Sequence, residues 1–231
     1  MTEKRAREKG FTLLELVLVL AVIAVLAAIF LPIGMNQLRQ ADITKANADV
    51  QQVAAAMTQF FKDLRYFPAC NSPVANADCS PRVGTGATDN NNLKFLAVGE
   101  GAGDVSGKYP PGTTDPVWDF AANDDAATPA KNNAFNHLVV NDPVANGTAD
   151  EVSDYPTSGR AWGGPYIARL GLDPWGNAYV ISVGAMEADG TLIAANAKGW
   201  VLSAGPNGTI ETAPDDLVLG GDDIGFIYYT D

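Results

Sequence analysis

Residues 9–34 read KGFTLLELVLVLAVIAVLAAIFLPIG. From Phe11 to Leu31 the run holds 21 residues and a single charge, Glu15. At about 1.5 Å per residue such a helix is about 30 Å long, one hydrocarbon thickness. It is apolar on every face, which argues against a surface helix with one buried side. A secretory signal is the nearer rival, but its apolar core spans about 7–15 residues and ends in a small-residue cleavage site. This run is longer, and no A-x-A site follows it. Lys4, Arg5, Arg7 and Lys9 crowd the segment before it. The positive-inside rule keeps such a head cytoplasmic and sends the rest of the chain outward.

Glu15 is the anomaly. A carboxylate at the bilayer centre costs about 2.5–3.5 kcal/mol on insertion scales, and less near an interface. No Lys or Arg lies between Phe11 and Leu31. A cationic partner must come from elsewhere: a free amine at a new N-terminus, or another chain. Pro32 and Gly34 then mark an expected kink or melted stretch, because Pro removes a helical hydrogen bond and Gly adds backbone freedom.

The stretch KGFTLLELVLVLAVIAVLAAIFLP resembles the N-terminal signature of type IV pilins and pseudopilins. The resemblance implies that a prepilin peptidase cuts between Gly10 and Phe11 and methylates the Phe11 amine. It implies that Glu15 pairs with that amine on a neighbouring subunit during filament assembly. Cleavage would remove four positive and two negative side chains. The implied partners are copies of the chain, the peptidase, an assembly platform and minor pilins. The implied location is the inner membrane with a periplasmic head, then a periplasmic or cell-surface filament.

Beyond Gly34 the apolar period changes. Ile43, Ala46, Val50, Val53, Met57, Phe60 and Leu64 alternate by three and four, a one-sided helical stripe. The helix is expected to run to about Leu64 and to end before Pro68. Residues 69–160 are rich in Asn, Asp, Gly, Pro, Ser and Thr and read as a loop-rich insertion. The apolar patches LKFLAVG, VWDF and FNHLVV are expected to anchor it. Its lone His137 reads as structural or exposed. Cys70 and Cys79 sit in CNSPVANADC. A disulfide in an oxidising compartment fits them, and a metal pair is the rival. Farther on, AYVISVG and GWVLSAG read as two strands paired antiparallel. GGPYI with DPWGNAYV is similar to the C-terminal sheet of the major pseudopilin of type II secretion.

In SAGPNGTIETAPDDLVLGGDDIGF the carboxylates arrive as Asp215-Asp216 and Asp222-Asp223, separated by glycine-rich turns. Hard cations take six to eight oxygens from carboxylates and carbonyls, so this is either a solvated acidic loop or a cation site. The resemblance implies Ca²⁺, held by Asp215, Asp222 and Asp223 with the Leu217 carbonyl, and with Glu211 and Asp216 in reserve. Asn146-Gly-Thr148 and Asn207-Gly-Thr209 match the glycosylation sequon, usually by accident in bacteria.

The expected architecture is α+β. A leader (1–10) and an apolar helix (11–34) precede an amphipathic helix (35–68), the insertion (69–160), and a C-terminal sheet with its acidic loop (161–231). The 231 residues are 47% apolar, enough for one domain and extra segments. A net charge of -12 argues against a nucleic-acid surface. One His, no nucleophile elbow and no phosphate loop argue against an enzyme. The expected role is a structural filament subunit, with a minor pilin or tethered binding module as the alternative.

Overall fold

The computed structural model describes residues 11–65, 67–68, 95–99, 101–103, 105–111, 133–143, 155–169, 171–183, 198–213 and 216–230. Gly10, Cys70, Cys79, Asp215 and Asn146 lie outside them. The chain divides into two compact units, 1–42 and 43–231.

Helix α1 spans Leu13–Leu64 without interruption. The expected melted stretch at Pro32 is corrected: Pro32 lies inside the helix. A helical Pro costs about 3 kcal/mol. A broken helix in lipid would leave several backbone groups unpaired, at several kcal/mol each. The single defect is the cheaper state. Within residues 11–42 the apolar side chains are exposed: Leu13, Leu18 and Leu31 are 82, 65 and 66% accessible.

In residues 43–231 the α1 stripe is buried as the 3–4 spacing requires. Ala46, Val50, Val53, Met57, Phe60 and Leu64 face the core, joined by Ala54 and Ala56. Ile43, placed in the stripe from its spacing, is instead 40% exposed. It stands one turn before the covered part of the helix. α1 ends at Leu64, where Arg65 turns into the left-handed region at φ 66. The Arg65 N–H still donates to the Phe61 carbonyl at 2.7 Å. The helix therefore stops ahead of Pro68, at a position that glycine occupies in most such caps.

The sheet has four antiparallel strands in sequence order: β1 Phe95–Ala97, β2 Val180–Ser182, β3 Gly199–Ser203 and β4 Ile224–Tyr229. β2 and β3 are the two strands expected from AYVISVG and GWVLSAG. β1 comes from LKFLAVG and β4 from the segment after the acidic loop. The period-2 alternation sorts the sheet into two faces. Leu96, Val98, Tyr179, Ile181, Val183 and Val201 pack with the α1 stripe. Phe95, Val180, Trp200 and Leu202 form a second cluster on the opposite face, with Ile210.

Two long-range links hold helix and sheet together, and a third ties the helix to Tyr155 and Tyr166. Phe61 stacks on Phe67 at 4.6 Å, and Phe67 meets Tyr228 and Tyr229 edge-on at 5.4 and 5.3 Å. Tyr179 Oη donates to Asp49 Oδ2 at 2.8 Å across 130 positions of sequence. Burial, with the Asp49 carboxylate beside it, holds the Tyr179 phenol well above its usual range, so it stays a donor. Phe60 packs edge-on against Tyr155 and Tyr166 at 5.0 and 5.5 Å.

A short helix α2, Ala134–Leu138, closes this core. Asn133 caps it by accepting from the Phe135 N–H at 3.0 Å. His137 is fully buried there, its Nδ1 2.6 Å from Tyr155 Oη, and its carbonyl accepts from Trp162 Nε1. It is a core residue; the exposed reading is corrected. The 69–160 stretch thus supplies β1 and α2 to the core.

Phe60→Ala truncates the largest fully buried side chain of α1. Such truncations cost about 3–5 kcal/mol. The full chain in detergent is expected to lose most of its melting cooperativity or several degrees of Tm; an unchanged Tm would show that Phe60 does not organise the core.

Candidate functional site

Two regions carry chemistry, one in each unit. The first is the start of α1. Thr12 precedes the helix, and its Oγ1 accepts from the Glu15 N–H at 3.2 Å. Thr12-Leu13-Leu14-Glu15 is the S/T-x-x-E spacing of a capping box. Glu15 also places negative charge in the first turn, where the helix dipole favours it. The signal for this cap in the sequence is the Thr-x-x-Glu spacing itself. Around Glu15 the side chains are exposed: Phe11, Leu14 and Leu16 are 83, 80 and 56% accessible. One helix of sufficient length and apolarity to cross a membrane is present among the described residues.

The second region is the acidic loop between β3 and β4. It begins at the Gly205–Gly208 turn. Gly205 adopts φ 61, and a Cβ there would collide with the Asp222 carbonyl. Only glycine permits this close return of the chain. The Asn207 N–H donates to Asp222 Oδ2 at 3.1 Å, and Asn207 Nδ2 donates to Glu211 Oε2 at 3.3 Å. Asn207 Oδ1 accepts from the Thr209 N–H at 2.6 Å, so the sequon asparagine is engaged within its own turn.

Asp223 is the hub. Its Oδ2 accepts from the Glu211 N–H at 2.8 Å, the Thr212 N–H at 2.8 Å and Thr212 Oγ1 at 2.7 Å. Thr212 Oγ1 accepts in turn from the Gly220 N–H at 3.0 Å. Asp216 Oδ2 accepts from the Ala213 N–H at 2.7 Å. Burial pushes the Asp223 carboxyl upward, against the pull of its hydrogen bonds to Thr212 and Glu211.

Asp222 Oδ1 and Asp223 Oδ1 are both buried and accept no hydrogen bond among the described residues. A buried anionic oxygen without a donor is costly. Two of them on adjacent residues fit a hard cation that prefers oxygen ligands. Among the described residues, no three His, Cys, Asp or Glu side chains converge as a metal-binding group. A full shell would have to draw on Asp215, outside the described residues, or on carbonyls. Leu217 is described, and its side chain points into solvent at 77% exposure.

Asp173, not singled out from the sequence, ties this loop to the sheet. It opens the Asp173-Pro-Trp-Gly-Asn177 turn. Its Oδ1 accepts from the Trp175 and Asn177 N–H groups at 3.0 and 2.8 Å, and its Oδ2 from Ser203 Oγ at 2.8 Å. Ser203 Oγ then accepts from the Gly205 N–H at 3.2 Å. The end of β3 and the start of the loop are pinned by one carboxylate. Asp at the head of a Pro-x-Gly turn was the available signal.

Asp223→Ala should orphan the Glu211 and Thr212 amides, at about 1–3 kcal/mol for each lost acceptor. Hydrogen exchange at those amides is expected to accelerate by about tenfold or more. Protection equal to that of the unaltered chain would show that Asp223 does not hold the loop.

Comparison with known proteins agrees with the first region. Residues 5–31 match the family model described as the prokaryotic N-terminal methylation motif. The chain is 33% identical over 66 residues to the type II secretion system core protein G of Pseudomonas aeruginosa, covering 29% of this chain and 46% of that protein. It is 26% identical over 133 residues to the toxin coregulated pilin of Vibrio cholerae, covering 58% and 52%. It is 28% identical over 90 residues to core protein G of Escherichia coli, covering 39% and 62%. The chain thus spans about half the length of these relatives. No solved structure matches it. The N-terminus of this chain is therefore a type IV pilin-like methylation motif, and the similarity beyond it is to core protein G of type II secretion and to pilins.

Proposed function

We propose that this chain is a structural subunit of a type IV pilin-like filament, of the kind built by the major pseudopilin of type II secretion. One observation carries the reading. An apolar helix with a methylation motif and a first-turn glutamate is exposed among the described residues. Apolar surface of that extent must be removed from water, by lipid before assembly and by identical helices after it.

In this reading the leader is cut between Gly10 and Phe11, and the Phe11 amine becomes free and methylated. Glu15 then meets the amine of a neighbouring copy. A buried unpaired carboxylate is costly and a paired one tolerated, so the pair favours one axial stagger over misregistered packing. Lys4, Arg5, Arg7 and Lys9 stay cytoplasmic, and the head with its Cys70–Cys79 disulfide faces an oxidising periplasm. A peptidase, an assembly platform and minor pilins serve the process. The names of the relatives, a secretion-system core protein and pilins, support a structural role over an enzymatic one.

The acidic loop is read as a Ca²⁺ site. Asp222 and Asp223 would contribute the two donor-less oxygens, joined by Asp215 and the Leu217 carbonyl. The ion neutralises carboxylates that otherwise repel, and it locks the loop onto β3 and β4.

Two outcomes follow. Glu15→Ala should fractionate with membranes like the unaltered chain yet give no sheared filaments under electron microscopy. Normal filaments from that variant would remove the pairing role. Adding a chelator to the full chain in detergent should lower its Tm, and Ca²⁺ should restore it; a Tm indifferent to both excludes the ion.

A further inference from the structure

The Asn207-Gly208 pair closes the Gly205–Gly208 turn, with the Asn207 side chain exposed to solvent. Three hydrogen bonds bear on the pair, and they are unequal. The Asn207 Oδ1 carbonyl accepts from the Thr209 N–H at 2.6 Å. Asn207 Nδ2 donates to Glu211 Oε2 at 3.3 Å, and the Gly208 N–H donates to the Gly205 carbonyl at 3.3 Å. The first is short and the other two are long for N–H···O, whose usual separation is about 2.9–3.0 Å.

The short bond closes a ring over the Gly208 nitrogen, so the Asn207 side chain is folded back along its own backbone. It also sets an N–H donor on the carbonyl oxygen that would take up negative charge if Cγ were attacked. The two long bonds restrain the neighbouring nitrogen and the side-chain amide only weakly. Gly208 has no Cβ to crowd an approach, and its φ of 72 lies where glycine sits without strain. Carbonyl, nucleophile and leaving group are thus together in one exposed turn, with the helpful bond strong and the opposing bonds weak.

We propose that Asn207-Gly208 is a self-modification site. The Gly208 nitrogen bonds to Asn207 Cγ and the Cγ–Nδ2 bond breaks. Nδ2 leaves as ammonia, taking the Gly208 amide proton with its own two. Water then opens the cyclic imide at either carbonyl, giving Asp or isoaspartate at 207. The product alters the acidic loop. A carboxylate replaces the amide that donates to Glu211 Oε2, so a hydrogen bond becomes a like-charge contact. In isoaspartate the main chain also runs through the former side chain, next to the backbone N–H that holds Asp222 Oδ2 at 3.1 Å. Loss of ammonia makes the change one-way, so the loop records the age of the chain. The chemistry needs neither a filament nor a bound ion.

Peptide mapping of the full chain in detergent, kept at mildly alkaline pH in water carrying heavy oxygen, tests it. Conversion at Asn207 should run about tenfold or more faster in the folded chain than in the same chain unfolded in urea, the least expected of one well-placed donor to the carbonyl oxygen. A folded rate equal to or below the rate in urea would show that the turn protects Asn207, and would overturn the site. Labelled Asp and isoaspartate should appear together. Labelled Asp alone would mean direct hydrolysis and would overturn the cyclic route. Gly208→Ala, compared in urea where folding plays no part, should slow labelling at 207 severalfold while Asn146, in the other Asn-Gly-Thr of the chain, converts as before. Undiminished labelling at 207 in that variant would exclude the Gly208 nitrogen as the nucleophile.

Discussion

The structure depends first on the exposed apolar surface of its first helix. From Leu13 to Leu38 the helix offers apolar side chains at roughly half to four-fifths exposure. At about 25 cal/mol for each Å² of apolar surface, leaving such a helix in water is prohibitive. The same property makes it stable in lipid and equally stable among copies of itself. Lipid and neighbouring apolar helices are nearly equivalent solvents for Leu and Val. The discriminating term is then polar, and Glu15 is the only charged group in that stretch able to supply it. Its N–H is also capped by Thr12, so the helix start is fixed beside the carboxylate.

The head solves the opposite problem. Its half of α1 buries one stripe, and the sheet divides its alternating residues between that stripe and a second cluster on the far face. Tyr179 shows how the two levels join. Its ring is buried with the helix-facing cluster, while its hydroxyl reaches Asp49 on α1. The aromatic group of Phe61, Phe67, Tyr228 and Tyr229 then ties the last strand to the end of the helix.

The acidic loop is where polar bookkeeping decides the geometry. Asp223 satisfies three donors with one oxygen and leaves the other without any. Asp173 satisfies three donors with two oxygens. The contrast separates a carboxylate used to brace a turn from one with a coordination position left over. Burial raises both carboxyls, and Asp173 offsets this through Ser203 and its turn amides. Asp223 is offset likewise, through Thr212 and the Glu211 and Thr212 amides.

The sequence alone determined what depends on local pattern. The uniform apolarity of 11–31 specified a membrane-length helix. The 3–4 spacing from Ala46 to Leu64 specified a buried stripe, and the alternation in AYVISVG and GWVLSAG specified two strands. These signals are strong because each residue reports its own environment. The tertiary structure decided what depends on distant partners. LKFLAVG became an edge strand only because β2 offered it a ladder, and His137 became a core residue only because Tyr155 and Trp162 closed over it. Ile43 fell outside the core, one turn before the first buried residue of the stripe, Ala46. The acidic pairs were visible as composition, but which oxygen lacks a donor was not. Hydrogen-bond satisfaction is set by backbone amides brought together from 205–213 and 220–223, and no spacing rule in the sequence encodes that approach.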